Sequence, residues 1–164
     1  MNAPQLDVAR LLDKLAGEIR PVLTPDTALV GIHTGGAWVA EALHRMLKPV
    51  LPLGTLDISF YRDDFSRIGL HPQVKPSAIP FVVEAQPIIL IDDVLHTGRT
   101  VRAAMNELFD YGRPSAIRLA VVVDRGGREL PICPDFCGMA LDIGPQQNVQ
   151  LRRNEKGQLS LTIA

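Results

Sequence analysis

The sequence predicts an α/β fold: a mostly parallel, twisted sheet flanked by helices, with short strands towards the C-terminal end. Three observations carry that expectation. Apolar runs of strand length alternate with segments whose apolar residues recur every three or four positions, the order that builds parallel sheets. One such run, Ile88-Ile89-Leu90-Ile91, stops at two acids, Asp92 and Asp93, and leads through a short loop with Thr97, Gly98 and Thr100 into a helical pattern. The 164 residues hold no repeat, low-complexity segment or clear linker, so residues 1–164 are expected to form one domain around one core.

The elements follow in order. Leu6, Ala9, Leu12, Leu15, Ala16 and Ile19 mark an amphipathic helix over residues 5–20, ended by Arg20-Pro21 because proline cannot continue the hydrogen-bond ladder. Residues 28–32 (ALVGI) read as a short buried strand, 33–36 as a turn, and 37–48 as a second helix closed by Pro49. Residues 54–61 alternate Leu56, Ile58 and Phe60, the period-two pattern of a strand. Residues 62–79 lose periodicity: four charges in RDDFSR precede Gly69, Pro72 and Pro76, and a loop this long is functional or disordered. Residues 87–92 form the next strand. Residues 98–111 form a helix with Val101, Ala104, Met105 and Leu108 on one face and Gly112 as its C-terminal cap. Residues 117–123 (IRLAVVV) are another buried strand, ending in Asp124-Arg125-Gly126-Gly127. Beyond Pro131 short strands are expected, with a hairpin pairing residues 149–152 with 159–163.

Bulk properties narrow the function classes. A net charge of -1 gives no whole-protein attraction to nucleic acid or membrane. The N-terminal stretch carries acids early and lacks the apolar core of a secretory signal, and no run approaches the length of a membrane span. Cys133 and Cys137 do not form a CxxC pair and have no matching partners for zinc, so they read as reduced thiols of a cytoplasmic protein.

The chemistry concentrates at strand ends. In an open α/β sheet ligands bind at the carboxyl ends of the strands. Adjacent carboxylates there repel each other unless they are neutralised; a sugar diol can donate hydrogen bonds to both Asp92 and Asp93, and Mg²⁺ can supply countercharge. His96-Thr97-Gly98-Arg99-Thr100 opens a helix, whose first N–H groups lack intrahelical partners and suit a phosphate monoester, although a plain N-cap has the same composition. Neither GxxxxGK[ST] nor GxGxxG is present, so a phosphorylated sugar is favoured over a dinucleotide. GIHTGG (31–36) is either a second anion loop or a tight turn. His33 and His96 are ligands, acid–base groups or ordinary loop histidines. Tyr61-Arg62-Asp63-Asp64 reads as the start of a mobile lid or as a solvated connector. Asp124-Arg125-Gly126-Gly127-Arg128 repeats the strand-end pattern and could face the other half of the substrate, or be a charged turn.

Two acids after four aliphatic residues, then VLHTGRT, resemble the phosphoribosyl pyrophosphate (PRPP) signature of type I phosphoribosyltransferases. GIHTGGAWVAEAL, LDISFYRDDFS, VKPSAIPF and VDRGGRELPICPDFCG narrow the resemblance to the PyrR family, pyrimidine-operon regulators that are also uracil phosphoribosyltransferases; it runs from about residue 5 to 163. The resemblance implies a type I core with a small hood, and the reaction of uracil with PRPP to give UMP and pyrophosphate, with Mg²⁺ carried by PRPP rather than bound directly by protein. It implies that Asp92 and Asp93 hold the ribose hydroxyls and that Val94, Leu95, His96, Thr97, Gly98, Arg99 and Thr100 cradle the 5-phosphate. Thr34, Gly35 and Gly36 would form the pyrophosphate loop, and Arg62 would act from the lid. Asp124, Arg125 and the hood, Val149 included, would face the base. Family members also bind messenger RNA of the pyr operon under UMP and UTP control, as homodimers or homotetramers. The chain departs from the family pattern at Gly35, Gly127 and Cys133, where relatives often carry an arginine, a histidine and a basic residue.

Two other readings stay open. One is a nucleotide-sensing regulator that binds RNA or DNA with little or no transferase activity. The other is a phosphoribosyltransferase acting on a purine or another base.

Overall fold

The computed structural model of the chain describes residues 5–58 and 77–164. A five-stranded parallel sheet forms its centre, made of β2 (Ala28–Ile32), β3 (Gly54–Leu56), β4 (Pro87–Leu95), β5 (Ala116–Asp124) and β6 (Phe136–Ala140). Their spatial order is β3-β2-β4-β5-β6, so strand order reverses between β2 and β4. Among the described residues three α-helices flank the sheet: α1 (Val8–Ile19), α2 (Gly35–Leu47) and α3 (Arg99–Tyr111). A second, antiparallel sheet of order β1-β8-β7 joins β1 (Gln5–Leu6) to the C-terminal hairpin of β7 (Val149–Arg153) and β8 (Leu159–Ile163).

Alternation along the strands makes two apolar layers. On β4, Ile89 and Ile91 face α1 and α2, where they meet Leu15, Ile19, Val39 and Leu43. Ile88 and Leu90 face the other way, against Val101, Ala104 and Leu108 of α3. β5 divides likewise, with Val122 in the first layer and Val121 in the second. The small sheet is joined to the first layer through Leu161, which is fully buried there.

Several boundaries differ from the sequence expectation. The first helix starts at Val8, because the Asp7 carboxylate accepts from Arg10 N and caps it (3.2 Å); Leu6, expected in the helix, pairs with β8 instead. The second helix begins at Gly35, inside the expected turn. β4 does not stop at Asp92: the neighbouring β5 runs alongside it as far as the Leu95–Asp124 pair, so both acids lie within the ladder and the loop starts only at His96. Of the expected strand at 54–61, Gly54–Leu56 is paired; Phe60, Tyr61 and the expected lid with Arg62 lie outside the described residues.

Candidate functional site

The loops after β2 and β4 flank the point where strand order reverses, the usual ligand crevice of an open α/β sheet. The β2 loop turns through a cis His33–Thr34 peptide into Gly35 and Gly36, the first residues of α2. These two glycines lie directly against the acids of β4. A Cβ on Gly36 would sit 2.6 Å from the Ile91 carbonyl oxygen and 3.0 Å from Asp92 Cα. One on Gly35 would fall inside the envelope of the Asp93 carboxylate. At Gly36, which meets backbone, only a residue without a side chain allows this approach; at Gly35 it is the Asp93 side chain that would have to turn aside. Asp92 is buried and Asp93 half-buried; each Oδ1 accepts from the next backbone N–H, Asp93 N and Val94 N, at 2.9 Å.

The β4 loop continues as His96-Thr97-Gly98, with Gly98 left-handed (φ 94) at the N-cap of α3. Thr97 Oγ1 accepts from Arg99 N (3.2 Å). His96 and Arg99 are exposed, and Thr100 is half-buried. Leu95 is buried in the α3 layer and Val94 packs on the α1–α2 layer, so only the backbone of these two can serve a ligand.

The end of β5 lies beside that loop. A cavity of about 580 Å³ is lined by His96, Asp124, Arg125, Gly127, Leu141 and Asp142 among others, a size suited to a small organic ligand. Both Asp124 oxygens are engaged: Oδ1 accepts from Gly126 N (3.0 Å) and Oδ2 from Arg128 Nη2 (2.6 Å). The Arg128 hydrogen bond holds the Asp124 carboxyl below its ordinary range, against the opposing effect of burial. Arg125 Nη1 reaches Asn148 Oδ1 (3.3 Å), while its Nε is buried without an acceptor among the described residues. Val149 packs against the core rather than lining the cavity. The His96 ring lies over Gly127, whose Cβ would be 2.7 Å from His96 Cε1, and its Nδ1 is 2.9 Å from the Gly126 carbonyl. Among the described residues no cluster of three or more His, Cys, Asp or Glu side chains could hold a metal ion.

Sequence reasoning places Arg128 in the strand-end motif 124–128 but gives a role of their own only to Asp124 and Arg125; the Arg128 guanidinium bonds three neighbouring groups. The Asp–Arg spacing of four at a strand end was the available signal.

Residues 4–145 match the family model described as the phosphoribosyl transferase domain. The bifunctional protein PyrR of Pseudomonas aeruginosa strain LESB58 is 54% identical over 147 residues, 87% of this chain and 86% of that protein. PyrR of Nitrosococcus oceani is 50% identical over 170 aligned residues, 98% of this chain and 96% of that one. This chain belongs to the PyrR family of phosphoribosyltransferases. Its architecture is that of the wider fold: a hypoxanthine-guanine phosphoribosyltransferase from Bacillus anthracis superposes with a TM-score of 0.70 at 15% identity, covering 100% of this chain and 98% of that one. A hypoxanthine phosphoribosyltransferase from Staphylococcus aureus gives 0.68 at 18% identity, covering 90% and 80%. Among the described residues, no helix is long and apolar enough to cross a membrane.

Proposed function

We propose that this PyrR-family protein binds PRPP and uracil, transfers the phosphoribosyl group to give UMP, and regulates pyrimidine synthesis in response to uridine nucleotides. One observation carries the reading: Gly36, without a side chain, brings the β2 loop onto the backbone of the acid pair of β4 at the strand-order reversal. A diphosphate on that loop and a ribose on those acids would then be neighbours, as they are in PRPP. Asp92 and Asp93 accept from the ribose hydroxyls. The 96–100 loop takes the 5-phosphate, and the cavity beside Arg125 takes the base.

Uracil N1 attacks the anomeric carbon, the carbon–oxygen bond to diphosphate breaks with its electron pair leaving on oxygen, and N1 gives up its proton. The carbon passes through oxocarbenium character, so alignment and fixed dipoles are what the chain has to supply. Asp92 and Asp93 are hard oxygen donors of the kind Mg²⁺ prefers and would lie beside an ion carried by PRPP, which would supply countercharge to the leaving group.

Incubation with Mg²⁺, PRPP and labelled uracil is expected to yield labelled UMP; no product above background removes the transferase. Asp93→Asn is expected to lower turnover by roughly a hundredfold, in line with the cost of misplacing a reacting group, and an unchanged rate removes this site assignment. Competition by guanine but not uracil would convert the reading to a purine enzyme.

The regulatory half rests on kinship with PyrR proteins at 50–54% identity. It entails binding to pyr messenger RNA by a homodimer or homotetramer in the cytoplasm. RNA affinity is expected to change with UMP and to fall steeply with salt. No binding at low salt would leave a nucleotide enzyme alone.

A further inference from the structure

We infer that Arg128 is a positioning residue for phosphoribosyl binding, setting the peptide planes of the 5-phosphate loop from the base side of the site. The inference rests on the phosphoribosyl reading above and adds to it a residue that contacts no part of the ligand in that reading.

The guanidinium makes three directed hydrogen bonds. Nη2 donates to Asp124 Oδ2 (2.6 Å), Nε to the Ile132 carbonyl (2.6 Å) and Nη1 to the His96 carbonyl (2.9 Å). The segment around it completes a row. Arg125 N donates to the Leu95 carbonyl (3.0 Å), and Glu129 N and Leu130 N both donate to the Thr97 carbonyl (3.0 and 3.1 Å). Three consecutive carbonyls, of Leu95, His96 and Thr97, are therefore drawn to one side by residues 125–130. In a trans peptide the carbonyl and the following N–H point in opposite directions. The N–H groups of His96, Thr97 and Gly98 are thereby turned away from residues 125–130, as a row of donors suited to an anion.

Two of the three carbonyls, of Leu95 and Thr97, are held by backbone N–H groups that do not depend on a particular side chain. The middle one, at His96, depends on a side chain. A planar guanidinium with several donors in fixed directions can hold Asp124, Ile132 and His96 together; an ammonium on a flexible stem cannot reach all three at once. Asp124 contributes by orienting that guanidinium, which gives the acid a role other than touching the base. Losing Arg128 leaves the His96 carbonyl without its donor and frees the peptide between His96 and Thr97 to rotate.

The test separates ligands by their phosphate. Calorimetric titration compares UMP and uridine on wild type, Arg128→Gln and Arg128→Lys, with melting temperature measured alongside. The expected result is a loss of UMP affinity of about tenfold or more in Arg128→Gln, with uridine affinity unchanged and Arg128→Lys between the two. Equal weakening of UMP and uridine, or no change in either, overturns the inference, since general loosening of the fold does not distinguish a phosphate from its absence. If Arg128→Gln does not fold, the same comparison is decided by Arg128→Lys. Failure of the wild type to bind UMP is seen before any variant is made, and it removes the nucleotide reading itself.

Discussion

The side chain missing at Gly35 determines where the Asp93 carboxylate can lie. Its Cβ position is occupied by that carboxylate, so in this chain a larger residue obliges the Asp93 side chain to take another orientation. Gly35→Ala is expected to lower kcat/KM for PRPP by roughly ten- to hundredfold, the cost of a displacement of about 1 Å at a reacting site, with little change in melting temperature. Steady-state kinetics with PRPP varied would show it, and an unaltered KM and kcat would refute the coupling of Gly35 to Asp93. A second residue outside the site sets a pH dependence. Glu107 of α3 is buried, accepts a short hydrogen bond from the Ser77 hydroxyl, and has no partner for Oε2 among the described residues. Burial raises its pKa above the ordinary 4.5, the Ser77 bond opposes the rise, and Asp57 and Asp110 add to it. Between the unfolded and the raised folded value the native state holds more protons, so stability falls as pH rises through that window. Glu107→Gln is expected to flatten this slope and to be at least as stable as wild type at pH 8. Denaturant unfolding of both proteins at pH 5 and pH 8 measures it, and an identical pH difference in the two contradicts it. At this scale the acids of β4 were legible, because two adjacent carboxylates after four aliphatic residues repel each other unless a ligand or an ion offsets their charge. Arg128 was not, because a charge in a turn is ordinary until the carbonyls it faces are known.

Secondary structure was legible where the repeat was long. α1 and α3 each bury a stripe at helical spacing, Leu12, Leu15 and Ile19 in one and Val101, Ala104 and Leu108 in the other, and both were expected within a few residues of their bounds. β1 was not, since two residues carry no period and their strand character comes from pairing with β8 at the far end of the chain. The extent of β4 was hidden for a related reason. Asp92 and Asp93 look like a terminus, yet the β5 ladder continues past them and fixes their backbone. The most deeply buried apolar anchor of the small sheet is Leu161, in the α1–α2 layer, with Leu6, Val149, Leu151 and Leu159 packed partly buried against the same layer. Leu161→Ala is expected to cost about 2–5 kcal/mol, the usual range for emptying a buried leucine site. Urea unfolding would give the value, and a loss below about 1 kcal/mol would mean the small sheet is not held to the core by this residue.

Across the molecule, the parallel order β3-β2-β4-β5-β6 brings three loops from separate parts of the sequence to one end of the sheet. The glycine loop follows β2, the 96–98 loop follows β4, and the Arg125–Leu130 segment follows β5. Their strands are consecutive neighbours and share both apolar layers, so moving one loop strains the others. The alternation of strands and helices made this convergence expected from sequence, whereas the hydrogen bonds between the second and third loops needed coordinates. A nucleotide touching all three would tie together the central strands rather than one local loop. Unfolding of such a unit is expected to be a single transition that ligand shifts as a whole. UMP at about 100 times its dissociation constant is expected to add about 2.7 kcal/mol to the unfolding free energy and to raise the melting temperature by roughly 5–10 °C. Calorimetric scans with increasing UMP would show one peak moving upward. A peak that splits, with only one part responding, would mean that the ligand reports on a separable portion of the chain and that the three loops are not one site.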